Sequence, residues 1–341
     1  MIRRILIGLV VVVVAIWAWN SSLLAPAQSG ATKLIAHRGV HQTFHRDGLT
    51  SDTCTAERIY PPTHRLMENT IDSMQAAFDA GADAVELDVH LTPDNQFAVF
   101  HDWTLDCRTE GQGVTEEAPM AEMRGLDLGY GYTADGGATF PLRGLGIGLM
   151  PALDEVFVAL PSRQFLINYK SRRAEEGTAL VALIAAHPEW RESLFGAYGG
   201  AEPSFAAADG IEGLKAYSNR SAADCLIQYE LLGWTGFVPE ACRNTYVLVP
   251  GNFAWALWGW PNRFAARMRD AGSQIILLGP YEAGDPGTRG IDSAEEVSLI
   301  PANFDGYVWT NRIEIIGPML KDGTTLRMEC FELGANGGEG C

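Results

Sequence analysis

Apolar and polar positions alternate most regularly over residues 81–102, GADAVELDVHLTPDNQFAVFHD. Val85, Leu87 and Val89 interleave with Glu86 and Asp88, so a strand here carries the two carboxylates on one face and the aliphatic side chains on the other. Pro93-Asp94-Asn95 predicts a chain reversal, after which Phe97, Val99 and His101 share a face of a second strand and bring an imidazole toward the acid pair. Upstream, Lys33 to Ala36 predict a brief strand ending in His37-Arg38-Gly39. Residues 40–67 show neither period and read as an inserted loop over the site. A helix begins at Asn69 or Thr70, buries Ile71, Met74, Ala77 and Phe78, and stops at Gly81.

Past His101, the glycine-rich stretch 105–150 reads as a substrate-covering loop and lacks a phosphate-binding P-loop signature. Pro151 to Glu155 open a short helix. The strand Phe165 to Lys170 places Asn168 and Lys170 on one face, and a helix over about 175–186 follows. The pattern is fainter near Leu214 to Tyr217 and returns in strands at 246–249, 274–278 and 306–309, with a helix from about Arg312. Residues 253–271 form an aromatic-rich helical stretch broken by Gly259 and Pro261, whose tryptophans at 255, 258 and 260 read as packing residues. Alternation of short strands and helices predicts a parallel α/β fold. Polar residues gather at the carboxyl ends of several strands: His37 and Arg38, Glu86 and Asp88, His101, then Asn168 and Lys170. This favours a (β/α)8 TIM barrel, with a doubly wound sheet as the alternative.

Charge and cysteine usage narrow the setting. A formal net charge of -17 argues against a nucleic-acid partner, since phosphate backbones are bound through an excess of Lys and Arg. Arg3 and Arg4 precede an uncharged run from Ile5 to Trp19, followed by Ala25-Pro26-Ala27, the small-x-small form of a cleavage site. The run is short of the roughly 20 residues that span a bilayer, though Leu23 and Leu24 extend it. Residues 1–30 are therefore either a cleaved signal peptide or a single-pass anchor, and either reading places the body outside the cytoplasm, in the periplasm or cell envelope. All 6 cysteines follow that segment without C-x-x-C spacing, so they read as disulfides. Proximity pairs Cys225 with Cys242 and Cys330 with Cys341, leaving Cys54 for Cys107. The expected layout is a catalytic domain over 31–325 and a tail over 326–341 closed by the last pair.

Glu86 and Asp88 are hard oxygen ligands suited to Ca²⁺ or Mg²⁺, and such a cation can hold phosphoryl oxygens. His37 and His101 are candidates for general acid and base. Arg38 and Lys170 supply the positive charge that a phosphate requires from so acidic a chain.

His37-Arg38-Gly39, Glu68-Asn69-Thr70, Gly81-Ala82-Asp83 leading to Glu86-Leu87-Asp88-Val89, Thr92, and His101-Asp102 together resemble the glycerophosphodiester phosphodiesterase family. Pro151 to Val156, Asn168 to Lys170 and Trp309 to Arg312 are similar to its later segments, so the resemblance runs from residue 33 to about 320. It implies a TIM barrel that hydrolyses a glycerophosphodiester to glycerol 3-phosphate and an alcohol. His37 and His101 would be the acid/base pair, Glu86 and Asp88 the metal ligands, Arg38 and Lys170 the phosphate-binding groups, and Glu68 a support behind them. Attack would come from water, or from the neighbouring glycerol hydroxyl through a cyclic phosphate. In place of the family's third acidic ligand stands Asn168, whose amide oxygen would complete the set with one less negative charge and weaker cation binding. The family's usual Thr-Asp near the end is Thr310-Asn311, a departure expected to touch none of the catalytic groups. Two alternatives stay open: a related phospholipase-type enzyme acting on a lysophospholipid or phospholipid head group at a membrane, and a non-catalytic phosphodiester-binding protein.

Overall fold

The computed structural model describes residues 2–50, 53–284 and 289–321. Nine strands form its sheet: β1 (Lys33–His37), β2 (Ala84–Leu91), β3 (Phe97–Val99), β4 (Gln164–Tyr169), β5 (Leu194–Gly199), β6 (Lys215–Ala216), β7 (Tyr246–Pro250), β8 (Gln274–Leu278) and β9 (Tyr307–Thr310). All but β3 run parallel, in the order β6-β5-β4-β2-β1-β9-β8-β7. Between the terminal strands β6 and β7 the hydroxyl of Thr245 donates to the carbonyl of Ala216 at 2.8 Å. The result is a nearly closed parallel barrel, as the strand-end polar residues imply.

Helices alternate with these strands: α1 (Ile2–Asn20), α2 (Ile71–Asp79), α3 (Met120–Met123), α4 (Leu153–Ala159), α5 (Ala174–Ala186), α6 (Ala201–Gly210), α7 (Asn219–Leu232), α8 (Asn262–Asp270) and α9 (Ile313–Lys321). Thr70 caps α2 by accepting from the Ser73 amide, while the Ser73 hydroxyl faces the Thr70 amide in return. Gly39, at φ +79°, runs so close to this helix that a β-carbon on it would lie 2.5 Å from the Ser73 hydroxyl. Only glycine fits there.

The barrel's inner and outer faces follow the period of two. Val85, Leu87 and Val89 of β2 pack outward against the helices with Met74, Phe78 and Phe165. Ile35, Ala84, Leu166, Tyr198, Tyr246 and Trp309 are among the side chains that fill the barrel interior. Moving two residues at a time toward the carboxyl ends, those inward rows reach His37 on β1, Glu86 and Asp88 on β2, and Asn168 on β4.

Two expectations are corrected, the strand placement of His101 and the packing of the tryptophans at 255 and 258. His101 does not lie on a strand with Phe97 and Val99: β3 ends at Val99 and pairs antiparallel with β2, an excursion from the barrel rather than one of its staves. Residues 40–67 and 105–150 carry only short helical turns, and Ile59, Met67, Leu105, Met123 and Tyr132 among them share a second apolar core with Phe100. The aromatic stretch at 253–271 is helical with the expected break near Gly259 and Pro261, a short turn at Ala254–Ala256 preceding α8, but Trp255 and Trp258 face outward instead of into the core. Disulfides join Cys54 to Cys107 and Cys225 to Cys242, as proximity implies. The pairing of Cys330 with Cys341 lies outside the described residues.

Candidate active site

Strand pairing assembles the site before any side chain is considered. His37 stands opposite Glu86 in the β1–β2 register, and Asp88 stands opposite Asn168 in the β2–β4 register. Neighbouring strands lie about 4.8 Å apart, so four polar side chains from three strands share one patch of the barrel mouth. Arg38 and Asn69 join it from the ends of β1 and of the 40–67 segment, both in the left-handed region at φ 59° and 60°. Strain of this kind persists where surrounding bonds impose it: the Arg38 amide donates to the Glu86 carbonyl at 2.9 Å and the Asn69 amide to the Arg38 carbonyl at 3.1 Å.

Asp88 is fully buried and surrounded by donors. Lys170 Nζ lies 3.3 Å from Oδ1, and Arg38 Nε lies 3.1 Å from Oδ2. The amides of Asn168 and Asn69 donate to the same two oxygens at 2.8 and 2.9 Å. Burial pushes the Asp88 carboxyl up, but Lys170 and Arg38 outweigh it and hold it well below the usual range. Glu86 behaves in the opposite way. Its Oε1 accepts from the Tyr198 hydroxyl at 2.7 Å, while Oε2 has no hydrogen-bond partner and lies 3.7 Å from His37 Nε2. Burial first, and the Asp88 charge second, push it up to about 8.

The two imidazoles are held alike but backed differently. His37 Nδ1 is 2.6 Å from the Asn311 side-chain oxygen, whose own NH2 donates to Asp292 at 2.7 Å. That chain orients the Asn311 amide, places the His37 proton on Nδ1 and leaves Nε2 to accept. His101 Nδ1 is 2.6 Å from Asp102 Oδ1, and Arg108 binds the other Asp102 oxygen. Burial and the charge of Arg38 depress both rings, with His41 adding to the effect at His37 and Lys170 at His101; His37 falls well below its ordinary value and His101 to about 4.

Glu68 ties the cations together. It accepts from Arg38 and from Arg108, each at 3.0 Å, and although burial opposes ionisation, Arg108 and then Arg38 bring its carboxyl down to about 2. All the residues singled out in the sequence therefore meet at one mouth: His37, Arg38, Glu68, Glu86, Asp88, His101, Asn168 and Lys170. The expectation that Asn311 is remote from the catalytic groups is overturned by its bond to His37. Tyr198 escaped the sequence reading because β5, LFGAYG, has two glycines and no alternation; Arg108 and Asp292 carry no local signal at all.

Among the described residues no three His, Cys, Asp or Glu side chains converge as a metal-ligand group. The donor set is two carboxylates and an amide. The unpartnered, buried Oε2 of Glu86 and the strained like-charge pair fit a cation. Asn168 turns its NH2 toward Asp88, and a half-turn of the amide brings the carbonyl oxygen round instead.

Residues 37–181 match the model of the glycerophosphoryl diester phosphodiesterase family. Over that stretch, less than half of its length, the chain is similar to that family. A glycerophosphodiester phosphodiesterase of Caldanaerobacter subterraneus is 37% identical over 101 residues, covering 30% of this chain and 38% of the relative. One from Bacillus altitudinis is 28% identical over 144 residues, covering 42% and 46%. The chain thus spans less than half the length of these relatives. Its barrel is similar to that of a glycerophosphodiester phosphodiesterase from Agrobacterium tumefaciens, with a TM-score of 0.52 at 20% identity over 84% of this chain and 99% of the other. It is also similar to an Oleispira antarctica phosphodiesterase solved with the product sn-glycerol-3-phosphate, with a TM-score of 0.52 at 16% identity over 86% and 96%. Within the phosphodiesterase family pattern, Asn311 marks the departure with a structural consequence at His37. Replacing it by alanine frees the imidazole to rotate, and kcat is expected to fall by up to about 100-fold with KM little changed. Steady-state kinetics on the variant check this.

Proposed function

We propose that the protein hydrolyses glycerophosphodiesters to glycerol 3-phosphate and an alcohol. The observation that carries this reading is the pair of buried imidazoles, each with Nδ1 held by a side chain, beside Arg38 and Lys170, which lie on either side of Asp88. A phosphodiester monoanion fits between the two cations, Arg38 as a fork and Lys170 as a point charge. An attacking hydroxyl, from water or from the adjacent glycerol carbon, forms the new P–O bond while the bond to the alcohol breaks. Its proton passes to one imidazole Nε2, and the departing oxygen takes a proton from the other. If the glycerol hydroxyl attacks, water opens the cyclic phosphate in a second passage through the same pair.

Glu86, Asp88 and Asn168 would hold a divalent cation, Ca²⁺ or Mg²⁺, which supplies positive charge to the phosphoryl oxygens when bound. Glu68 supports Arg38 from behind. The N-terminal apolar helix and the two disulfides support a location outside the cytoplasm.

The full chain assayed on glycerophosphocholine, glycerophosphoethanolamine and a lysophospholipid, with and without chelator, tests the reading. Hydrolysis of the soluble diesters supports it; turnover of the lysophospholipid alone favours a phospholipase-type enzyme, and binding without turnover under every cation favours a non-catalytic receptor. Asn168→Asp gives the cation a separate readout. By restoring a third carboxylate it is expected to raise affinity by about an order of magnitude, because affinity follows ligand charge count. Without added cation it should lower the melting temperature, since Asp88 exchanges an amide donor for a like charge. Calorimetric titration and a melting curve check both.

A further inference from the structure

The helix α1 is apolar from Ile5 to Trp19, exposed, and by length and composition able to cross a membrane. A cleaved signal has no need of a specific seat on the mature protein. Here the last turn of α1 has one. The Trp19 indole donates to the Thr235 carbonyl at 3.2 Å, and the Asn20 amide donates to the Trp234 carbonyl at 2.8 Å. Arg267 of α8, itself buried, donates to the Asn20 side-chain oxygen at 3.0 Å by the same nitrogen that reaches the Tyr229 hydroxyl and the Gly233 carbonyl. Beyond the helix, the Asn262 amide donates to the Ser22 hydroxyl at 2.9 Å and the Asp305 amide to the Gln28 side chain at 2.9 Å.

The surface around that seat is apolar where a soluble barrel would be polar. On α7, Ile227 and Leu231 stand one turn apart and are exposed, Leu231 by 68%. Trp234 and Phe237 follow directly and are half exposed. Trp258 is fastened to the same helix by its indole, which donates to the Glu230 carbonyl at 2.9 Å, and Trp255, three residues earlier, is 79% exposed. Trp234 and Phe237 flank Thr235 and Gly236, which meet the Trp19 ring at the tryptophan end of α1, and Trp17 and Trp19 are the residues that mark the water interface of a spanning helix. The bond from Trp19 to Thr235 sets Trp234 and Phe237 at that level.

We infer that α1 is retained as an anchor and that the barrel lies against the bilayer through Ile227, Leu231, Trp234, Phe237, Trp255 and Trp258. The partner is a lipid surface, engaged by insertion of apolar side chains. Attraction to anionic head groups is not the basis, because the chain carries a net charge of -17. The inference holds whichever phosphodiester the site takes.

The test uses the full chain in zwitterionic phosphatidylcholine vesicles containing a lipid with a photoactivatable acyl chain, with cross-links mapped by mass spectrometry. Labelling of α1, of residues 227–237 and of Trp255 or Trp258 is expected. An N-terminus at Gln28 in the protein recovered from its native membrane overturns the retained anchor. Cross-links confined to α1, or a face at 227–237 shielded by a second copy of the chain, overturn the docking surface. Trp255→Ser, at a site exposed enough to leave the core untouched, and the double variant W234S/F237S should each lower labelling of the barrel several-fold. Labelling of α1 and hydrolysis of a soluble diester should be unchanged.

Discussion

Alanine in place of His101 is expected to lower kcat on a glycerophosphodiester by a factor of about 100 to 10,000, and far less on a diester whose leaving group is a nitrophenol. His37→Ala should cost a similar factor on both substrates. The difference follows from what stands behind each ring. His101 is backed by the Asp102 carboxylate, which favours the imidazolium; His37 is backed by the neutral amide of Asn311, which orients the ring without adding charge. Before substrate binds, burial, Arg38 and Lys170 hold His101 at about 4. A phosphodiester anion lying between those same two cations offsets two of the three causes, so the ring gains affinity for a proton as the substrate arrives. In the proposed reaction that would suit it to protonate the departing oxygen, and His37 Nε2 would take the proton of the attacking hydroxyl. A nitrophenolate leaves without a proton and so bypasses His101 alone. Rates for both variants on both substrates check the assignment; equal losses throughout would refute it, and the reverse pattern would exchange the two roles.

Where the inward and outward rows of one strand differ in chemistry, the sequence was sufficient. On β2 the alternation of aliphatic and acidic residues placed Glu86 and Asp88 on one face, and the register of β2 with β1 and β4 completed the patch with His37 and Asn168. The barrel was legible because polar residues recur at strand ends. β5 was not, since LFGAYG has neither alternation nor a continuous apolar run, and with it went Tyr198 and its bond to Glu86. His101 was assigned to the right site by the wrong route, because the excursion through β3 ends two residues before it. The partnership of His37 with Asn311 spans 274 positions and depends on β1 and β9 being neighbours. No local pattern encodes that adjacency; it exists only once the barrel closes. The insertions looked irregular for a related reason: 40–67 and 105–150 bury apolar residues against each other, so neither has a face that repeats by itself.

Arg108 sits where those two insertions meet the site, and its replacement by methionine is expected to destabilise the protein by about 3–5 kcal/mol. The guanidinium is buried and spends its donors on four partners: Asp102, Glu68 at 3.0 Å, the Thr55 hydroxyl at 2.7 Å and the Tyr132 hydroxyl at 3.1 Å. Thr55 and Arg108 each follow a cysteine of the Cys54–Cys107 bridge, so the disulfide and the hydrogen bond secure the same junction. Methionine fills much of the volume but leaves two carboxylates short of their main counter-charge. The pH dependence separates this electrostatic cost from lost packing. In the folded protein Glu68 is lowered from 4.5 to about 2, so its contribution to stability is fully present above pH 4.5 and is lost as pH falls toward 2. Asp102 is displaced in the same direction, chiefly by Arg108 acting against burial. In R108M both folded-state values rise, so urea midpoints should fall less steeply between pH 5 and 2 than in the parent, and the two proteins should converge in acid. Tyr132→Phe, which removes one neutral partner, should cost only about 1 kcal/mol and keep the parent's acid slope. A constant difference between R108M and the parent across that range would mean that Arg108 acts through packing. The same substitution also strips Asp102 of its anchor, so a loss of activity comparable to that of Asp102→Ala, measured well below the unfolding midpoint, would show that the insertion's fold and the acid imidazole depend on one side chain.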